Sequence, residues 1–245
     1  MPRVALRFYE ELNDFLPAAL RKVDIPHTFD RRASVKDMIE SFGVPHTEVD
    51  IILVNGRSVD FSYIVQDGDR ISVYPVFESL DISPLLRLRP APLRSPAFVL
   101  DSNLGRLARY LRLLGFDCLY QNDYDDNTVA TIADSEQRIV LTRDRALLQR
   151  RIITRGYFIR EVQPRLQVKE VLARFDLYSL LSPFKRCIRC NGSLQAVDKQ
   201  AIEDRLEPKT RQYIDSFMRC NGCGQIYWQG SHHARSLRLI EELTK

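Results

Sequence analysis

The sequence predicts an α/β protein in which a parallel sheet flanked by helices follows a smaller α+β domain and precedes a cysteine-bound ribbon. Three observations lead there. Short apolar runs alternate with apolar residues at helical spacing between positions 97 and 175. The first 80 residues carry a dense set of strand and turn signals, and four of the five cysteines form two CxxC pairs near the C-terminus. Strands alternating with helices imply βαβ units with right-handed crossovers, hence a parallel sheet. The 245 residues suffice for one large domain or two to three small ones.

In order along the chain, "RVALRFY" from Arg3 reads as a strand. "HTFDRRASVKDMIESFGVP" reads as a second strand and then a helix capped by Ser34. In "VDIILVNGRSVD", Asn55-Gly56 between apolar runs is a strong hairpin signal, and "IVQDGDRISVYPV" supplies another turn and strand. The order ββαββ predicts a small β-grasp domain over residues 1–80. Through "LVNGRSVD" and "QDGDRISVYPV" it resembles the ubiquitin-like sulfur carriers of the ThiS and MoaD type. Those are activated at a C-terminal Gly-Gly, whereas here the chain runs on as "PVFESLDISP". The domain is therefore expected to bind a protein partner or act as a scaffold rather than to carry sulfur.

"SPLLRLRPAPLRSP" has four prolines, three arginines and no steady period, which predicts a partly extended linker over 81–96. Residues 97–183 then alternate. "AFVL" is a strand, and Leu104, Leu107, Ala108, Leu111 and Leu114 mark a helix that Gly115 stops. "FDCLYQ" is a strand, "DNTVATIADSEQ" a helix, "RIVLT" a strand, "RDRALLQRR" a short helix, "GYFIREV" a strand, and "PRLQVKEVLARF" a helix opened by Pro164.

Ligands of an open parallel sheet bind outside the carboxyl ends of its strands. Asp101 follows "AFVL", Asp144 follows "RIVLT", and Asp126 opens the helix after "FDCLYQ", so all three are expected at one edge. Each alone would serve as a helix N-cap. Together, carboxylates this close repel unless a cation neutralises them, and Mg²⁺ or Mn²⁺ suits oxygen ligands and phosphate substrates. That chemistry is metal-assisted attack of water on a phosphodiester. Asn103 is a candidate to orient the first carboxylate, and Arg106 and Arg143 are candidates for the substrate phosphates.

"FVLDSNLGRLARYLRLLGFD", "DDNTVATIA" and "VLTRDRALLQRR" together resemble the Mut7-C RNase family of PIN-like nucleases. The resemblance implies a PIN-like sheet and a ribonuclease, with Asp101, Asp126 and Asp144 as metal ligands and a β-grasp domain ahead of the nuclease. Asp125, beside Asp126 in "NDYDDN", competes for the second ligand position, and Glu161 is only a weak candidate for a fourth acid.

"CIRCNG" at Cys187 and "CNGCGQIYW" at Cys220 are two CxxC knuckles. Cys187, Cys190, Cys220 and Cys223 can surround Zn²⁺ tetrahedrally, a closed structural site, with redox or iron–sulfur roles as alternatives. Residues 184–245 are thus expected to form a zinc ribbon, with "AIEDRLEPKTRQYIDSF" as an inserted helix and a C-terminal helix beyond. Tyr227, Trp228, Lys185, Arg186, Arg189 and Arg219 around the knuckles suit contact with single-stranded RNA. Cys118, in "GFDCLY", reads as a buried thiol.

Charge divides unevenly. Residues 1–80 hold 9 Lys+Arg against 13 Asp+Glu, net −4, so the rest holds 27 against 19, net +8. The basic part favours a polyanion such as RNA. The absence of a long apolar run and of a signal-peptide pattern predicts a cytoplasmic protein without membrane contact, and paired CxxC motifs fit a reducing compartment. No GxxxxGK loop appears. The function expected is a metal-dependent ribonuclease, with a noncatalytic RNA- or protein-binding adaptor as the alternative.

Overall fold

The computed structural model describes residues 1–75 and 96–244. In chain order the elements are β1 (Arg3–Phe8), β2 (Ile25–Thr28), α1 (Val35–Ser41), β3 (Val49–Val54), β4 (Arg57–Val59), β5 (Arg70–Pro75), β6 (Ala97–Leu100), α2 (Gly105–Leu113), β7 (Asp117–Leu119) and α3 (Asp126–Ser135). There follow β8 (Ile139–Thr142), α4 (Arg145–Leu148), β9 (Gly156–Phe158), α5 (Pro164–Arg174), β10 (Leu194–Val197), α6 (Pro208–Tyr213), β11 (Phe217–Cys220), β12 (Ile226–Trp228) and α7 (Ser231–Thr244). The linker expected over 81–96 lies, but for Pro96, outside the described residues. The chain gathers into two compact units: Met1–Ser95 with Ala130–Phe158, and Pro96–Val129 with Ile159–Lys245.

In the first unit, five strands run in the order β2-β1-β5-β3-β4. β1 and β5 are parallel and the other pairs antiparallel, the central pairing a β-grasp requires. Alternation in β1 and β5 sends Leu6, Phe8, Ile71 and Val73 into one core with Ile39 of α1 and Ile52 of β3. Ser34 caps α1 as expected: its hydroxyl accepts from the Asp37 amide at 3.1 Å and Asp37 accepts from the Ser34 amide at 3.4 Å, a reciprocal capping box. Val54 pairs with Arg57 across Asn55-Gly56, both at positive φ (51° and 79°), the backbone that a two-residue hairpin needs.

The same unit takes in the parallel pair β8–β9. Phe158 packs against the β-grasp core, and the Arg145 guanidinium lies over the rings of Phe15 at 5.0 Å and Phe158 at 5.4 Å. It also donates to the Phe15 carbonyl at 3.3 Å. Buried His46 spans Glu40 (2.7 Å) and the Ile153 carbonyl (2.9 Å), while Glu48 accepts from the Phe158 amide at 2.5 Å.

In the second unit β6 and β7 pair in parallel. Phe98 of β6 meets Phe116 and Phe175 edge-on at 6.4 and 5.7 Å. α2 buries Leu107, Ala108 and Leu111 on one face. Gly115 ends that helix at φ +100°, and a Cβ there would stand 2.1 Å from the Ser182 carbonyl oxygen, so glycine is required both by conformation and by close approach. β10, β11 and β12 form a three-stranded antiparallel sheet. The inserted helix expected at 201–217 is not continuous. A 3-10 segment Lys199–Arg205 is followed by the short α6, because Pro208 disfavours helix at Glu207 and takes the first helical position itself.

Candidate active site and metal centre

Asp101 stands directly after β6 and is buried, at 7% exposure. Its Oδ1 accepts from the Asn103 amide at 2.8 Å, capping the 3-10 turn Ser102–Leu104 that leads into α2. Asn103 therefore fixes Asp101 through its backbone, and its exposed side chain faces a cleft described below. Thr142 and Asp144 form a second pinned corner. The Asp144 amide donates to Thr142 Oγ1 at 2.8 Å, and the exposed Asp144 carboxylate caps α4 by accepting from the Ala146 amide at 2.8 Å. Arg143 between them is exposed. Arg145, the other arginine beside Asp144, is occupied by its aromatic clamp.

The sequence offered Asp126 as the N-cap of α3, but the cap is Asp125 one residue earlier, whose Oδ1 accepts from the Thr128 amide at 2.7 Å. Asp126 is the first residue of α3 and is exposed. Asp101 and Asp126 belong to one compact unit, Asp144 and Arg143 to the other.

A cleft of about 400 Å³ opens at the start of α2, lined by Asn103, Arg106, Arg109, Tyr120, Asn122, Gln167 and their neighbours. Tyr120 forms its wall: the hydroxyl donates to the Ser102 carbonyl at 2.9 Å and also meets the Asn122 side chain.

The four knuckle cysteines are drawn together as expected. Their sulfurs lie within 4.8 Å of one another, forming, among the described residues, the group close enough to share a metal ion. Cys187 and Cys223 are 3.7 Å apart, Cys190 and Cys220 3.4 Å. Tetrahedral Zn–S bonds of about 2.3 Å place thiolates roughly 3.8 Å apart, so the quartet fits a structural metal such as zinc. Each knuckle is closed by a backbone bond, Asn191 to the Cys187 carbonyl at 2.9 Å and Gly224 to the Cys220 carbonyl at 3.1 Å. Burial alone would raise the Cys220 thiol, but the amides of Cys223 and Gly222 outweigh it, with help from Cys190, and bring it down to about 7. Burial, with the neighbouring thiols, pushes Cys190 up to about 12.

Two side chains expected to offer RNA contacts are engaged elsewhere. The Tyr227 hydroxyl meets Cys187 Sγ at 3.0 Å, and burial together with that sulfur raises its pKa. Arg186 pairs with Asp117 at 2.9 Å. Trp228, Arg219, Lys185 and Arg189 remain exposed.

Sequence reasoning missed Arg112. At 3% exposure its guanidinium donates to the carbonyls of Cys118 (2.8 Å), Arg189 (3.1 Å), Tyr120 (3.3 Å) and Ile188 (3.5 Å), tying α2 and β7 to the first knuckle. Burial lowers its pKa. Asn191 completes the joint, accepting from the Cys118 amide at 2.9 Å and donating to Asp117 at 2.8 Å. The signal was present: Arg112 falls four residues after Ala108, on the helix's apolar stripe.

A β-grasp domain, parallel strands flanked by helices and a C-terminal cluster of four thiols define an α/β protein. Residues 96–240 match the family model of the Mut7-C RNAse domain, and residues 1–81 that of the Mut7-C ubiquitin. The chain belongs to the Mut7-C RNase family, with the ubiquitin-like domain in front. No curated protein and no solved structure matched.

Proposed function

We propose that the protein is a PIN-like, metal-dependent ribonuclease that hydrolyses RNA phosphodiesters, with Asp101, Asp126 and Asp144 as the ligands of Mg²⁺ or Mn²⁺. The observation that carries this reading is the Mut7-C RNase match across 96–240, joined by the position of each acid. Asp101 directly follows β6, Asp144 follows β8 by two residues, and Asp126 opens α3 downstream of β7. A set of carboxylates suits a hard dication. Such a cation supplies Lewis-acid stabilisation of the phosphoryl charge and activation of water.

The chain's own residues orient the reaction. Backbone bonds to Asp101 and Asp144 fix their carboxylates before substrate arrives, Asn103 holds the turn that carries Asp101, and Arg106 and Arg143 bind phosphate oxygens. The thiol quartet holds structural Zn²⁺. Single-stranded RNA is the proposed substrate, the ubiquitin-like domain is a site for a protein partner, and the reduced thiols suit the cytoplasm.

Incubation of single-stranded RNA with the protein should give cleavage that requires added Mg²⁺ or Mn²⁺. Cleavage that persists after both ions are removed overturns the metal mechanism. Tight RNA binding without cleavage under any divalent ion would instead make the protein an adaptor.

A further inference from the structure

The cleft at the start of α2 carries more than a general affinity for phosphate. Its charged lining consists of Arg106 and Arg109, one turn apart on the exposed face of α2. Neither makes a hydrogen bond or ion pair among the described residues. Two uncommitted guanidiniums on one helix face attract an anion with paired oxygens.

On the other side Gln167 of α5 lines the same cleft at 5% exposure. Its Nε2 donates to the carbonyls of Glu161 at 3.0 Å and Val162 at 3.5 Å. Carbonyls only accept, so these bonds fix which end of the amide is nitrogen. Oε1 makes no hydrogen bond among the described residues and stays available to a ligand that carries a donor. Val162 and Pro164 offer apolar surface, and Tyr120 an aromatic wall.

An anion, a hydrogen-bond donor and a flat apolar body are the parts of one ribonucleotide, and about 400 Å³ falls in the range of small-ligand sites, roughly 300–1,000 Å³. We propose that this cleft is a nucleotide subsite. Arg106 and Arg109 hold a phosphate, Tyr120 and Val162 flank the sugar and base, and Gln167 Oε1 accepts from the ribose 2′-hydroxyl or a base N–H. The reading rests on the proposed ribonuclease function, since Asp101 immediately precedes the cleft's first residue, Ser102. It makes Gln167 a specificity residue and agrees with the single-stranded substrate proposed above, whose nucleotides are free to enter singly.

The test uses the full chain carrying Asp144→Asn without added divalent ion, so binding is read apart from cleavage. Probes are AMP, UMP, their 2′-deoxy counterparts and inorganic phosphate, followed by NMR titration. AMP should bind at least fivefold more weakly to the additional Arg106→Ala/Arg109→Ala variant, whose changes are on exposed positions, and to Gln167→Met checked for an unchanged circular dichroism spectrum. Loss of affinity for the 2′-deoxy nucleotides identifies the hydroxyl as donor; a difference between AMP and UMP that survives deoxygenation identifies the base. Inorganic phosphate binding as tightly as AMP, or AMP binding unchanged in the double arginine variant, overturns the subsite. Neither result bears on whether the aspartates cleave RNA.

Discussion

At the scale of single residues, the side chains that matter most are those whose polar atoms are already committed. Arg112 is a buried cation satisfied wholly by backbone carbonyls. Arg112→Ala would strand acceptors that cost about 1–3 kcal/mol each when left buried without partners. We expect a loss of about 3 kcal/mol, hence a melting temperature lower by roughly 6–12 °C for a chain of this size. Arg112→Lys should recover only part, because one ammonium cannot reproduce the planar fork. A thermal melt of Arg112→Ala within a degree of wild type would contradict the clamp. Asp101 was legible as a residue because it follows an apolar run, and so was its alternative role as a cap. That Asp125 rather than Asp126 caps α3 was not legible, since neighbouring acids at a helix start are distinguished as caps only by which one accepts the Thr128 amide.

At the scale of elements, short strands bounded by strong turn chemistry were the readable ones. Asn55-Gly56 announced the β3–β4 hairpin, and Gly115 the end of α2, although nothing in the sequence showed that the Ser182 carbonyl presses against it. The stretch before β11 was misread as one helix because the wide separation of the two CxxC pairs called for an insert, and the break that Pro208 imposes on it was overlooked. The ribbon itself has a small core of Ile202, Leu206, Phe217 and Ile226, too little apolar surface to hold its three strands without a cross-link. Elemental analysis should therefore find one zinc per chain, and Cys220→Ser should abolish it and loosen residues 187–228 in hydrogen exchange. Zinc-free protein with the same protection would refute the site. Because Cys220 in the metal-free chain sits near 7, below the ordinary thiol range, its thiolate contributes stability above that range and loses it as pH falls through about 7. Apparent zinc affinity, measured by competition with a chromophoric chelator, should fall in the same direction. An affinity that is flat between pH 8 and pH 6 would contradict this.

At the scale of the molecule, the ubiquitin-like domain is more than an appendage, and the linear order of motifs concealed this. Residues 130–158 share a compact unit with residues 1–95, through Phe158 on the β-grasp core, Arg145 between Phe15 and Phe158, and His46 on Ile153. No periodicity in "RDRALLQRR" reveals that its second arginine stacks on a ring 130 residues earlier. A chain truncated to residues 96–245 should consequently expose β8 and β9 and melt early or aggregate, with hydrogen exchange fastest at 139–158. If the truncated chain keeps the full-length exchange pattern there, the domain is a partner-binding module alone. No described helix is long and apolar enough to cross a membrane.

The central claim, that carboxylates at the ends of parallel strands hold the ion that cleaves RNA, is tested most directly by rates of RNA hydrolysis for Asp101→Asn and Asp144→Asn beside wild type in Mg²⁺ or Mn²⁺. Each change preserves size while removing a ligand charge, so activity should fall by about two to four orders of magnitude. Zinc content and RNA affinity should stay at or above wild type. Hydrolysis at the wild-type rate in either variant would contradict the account.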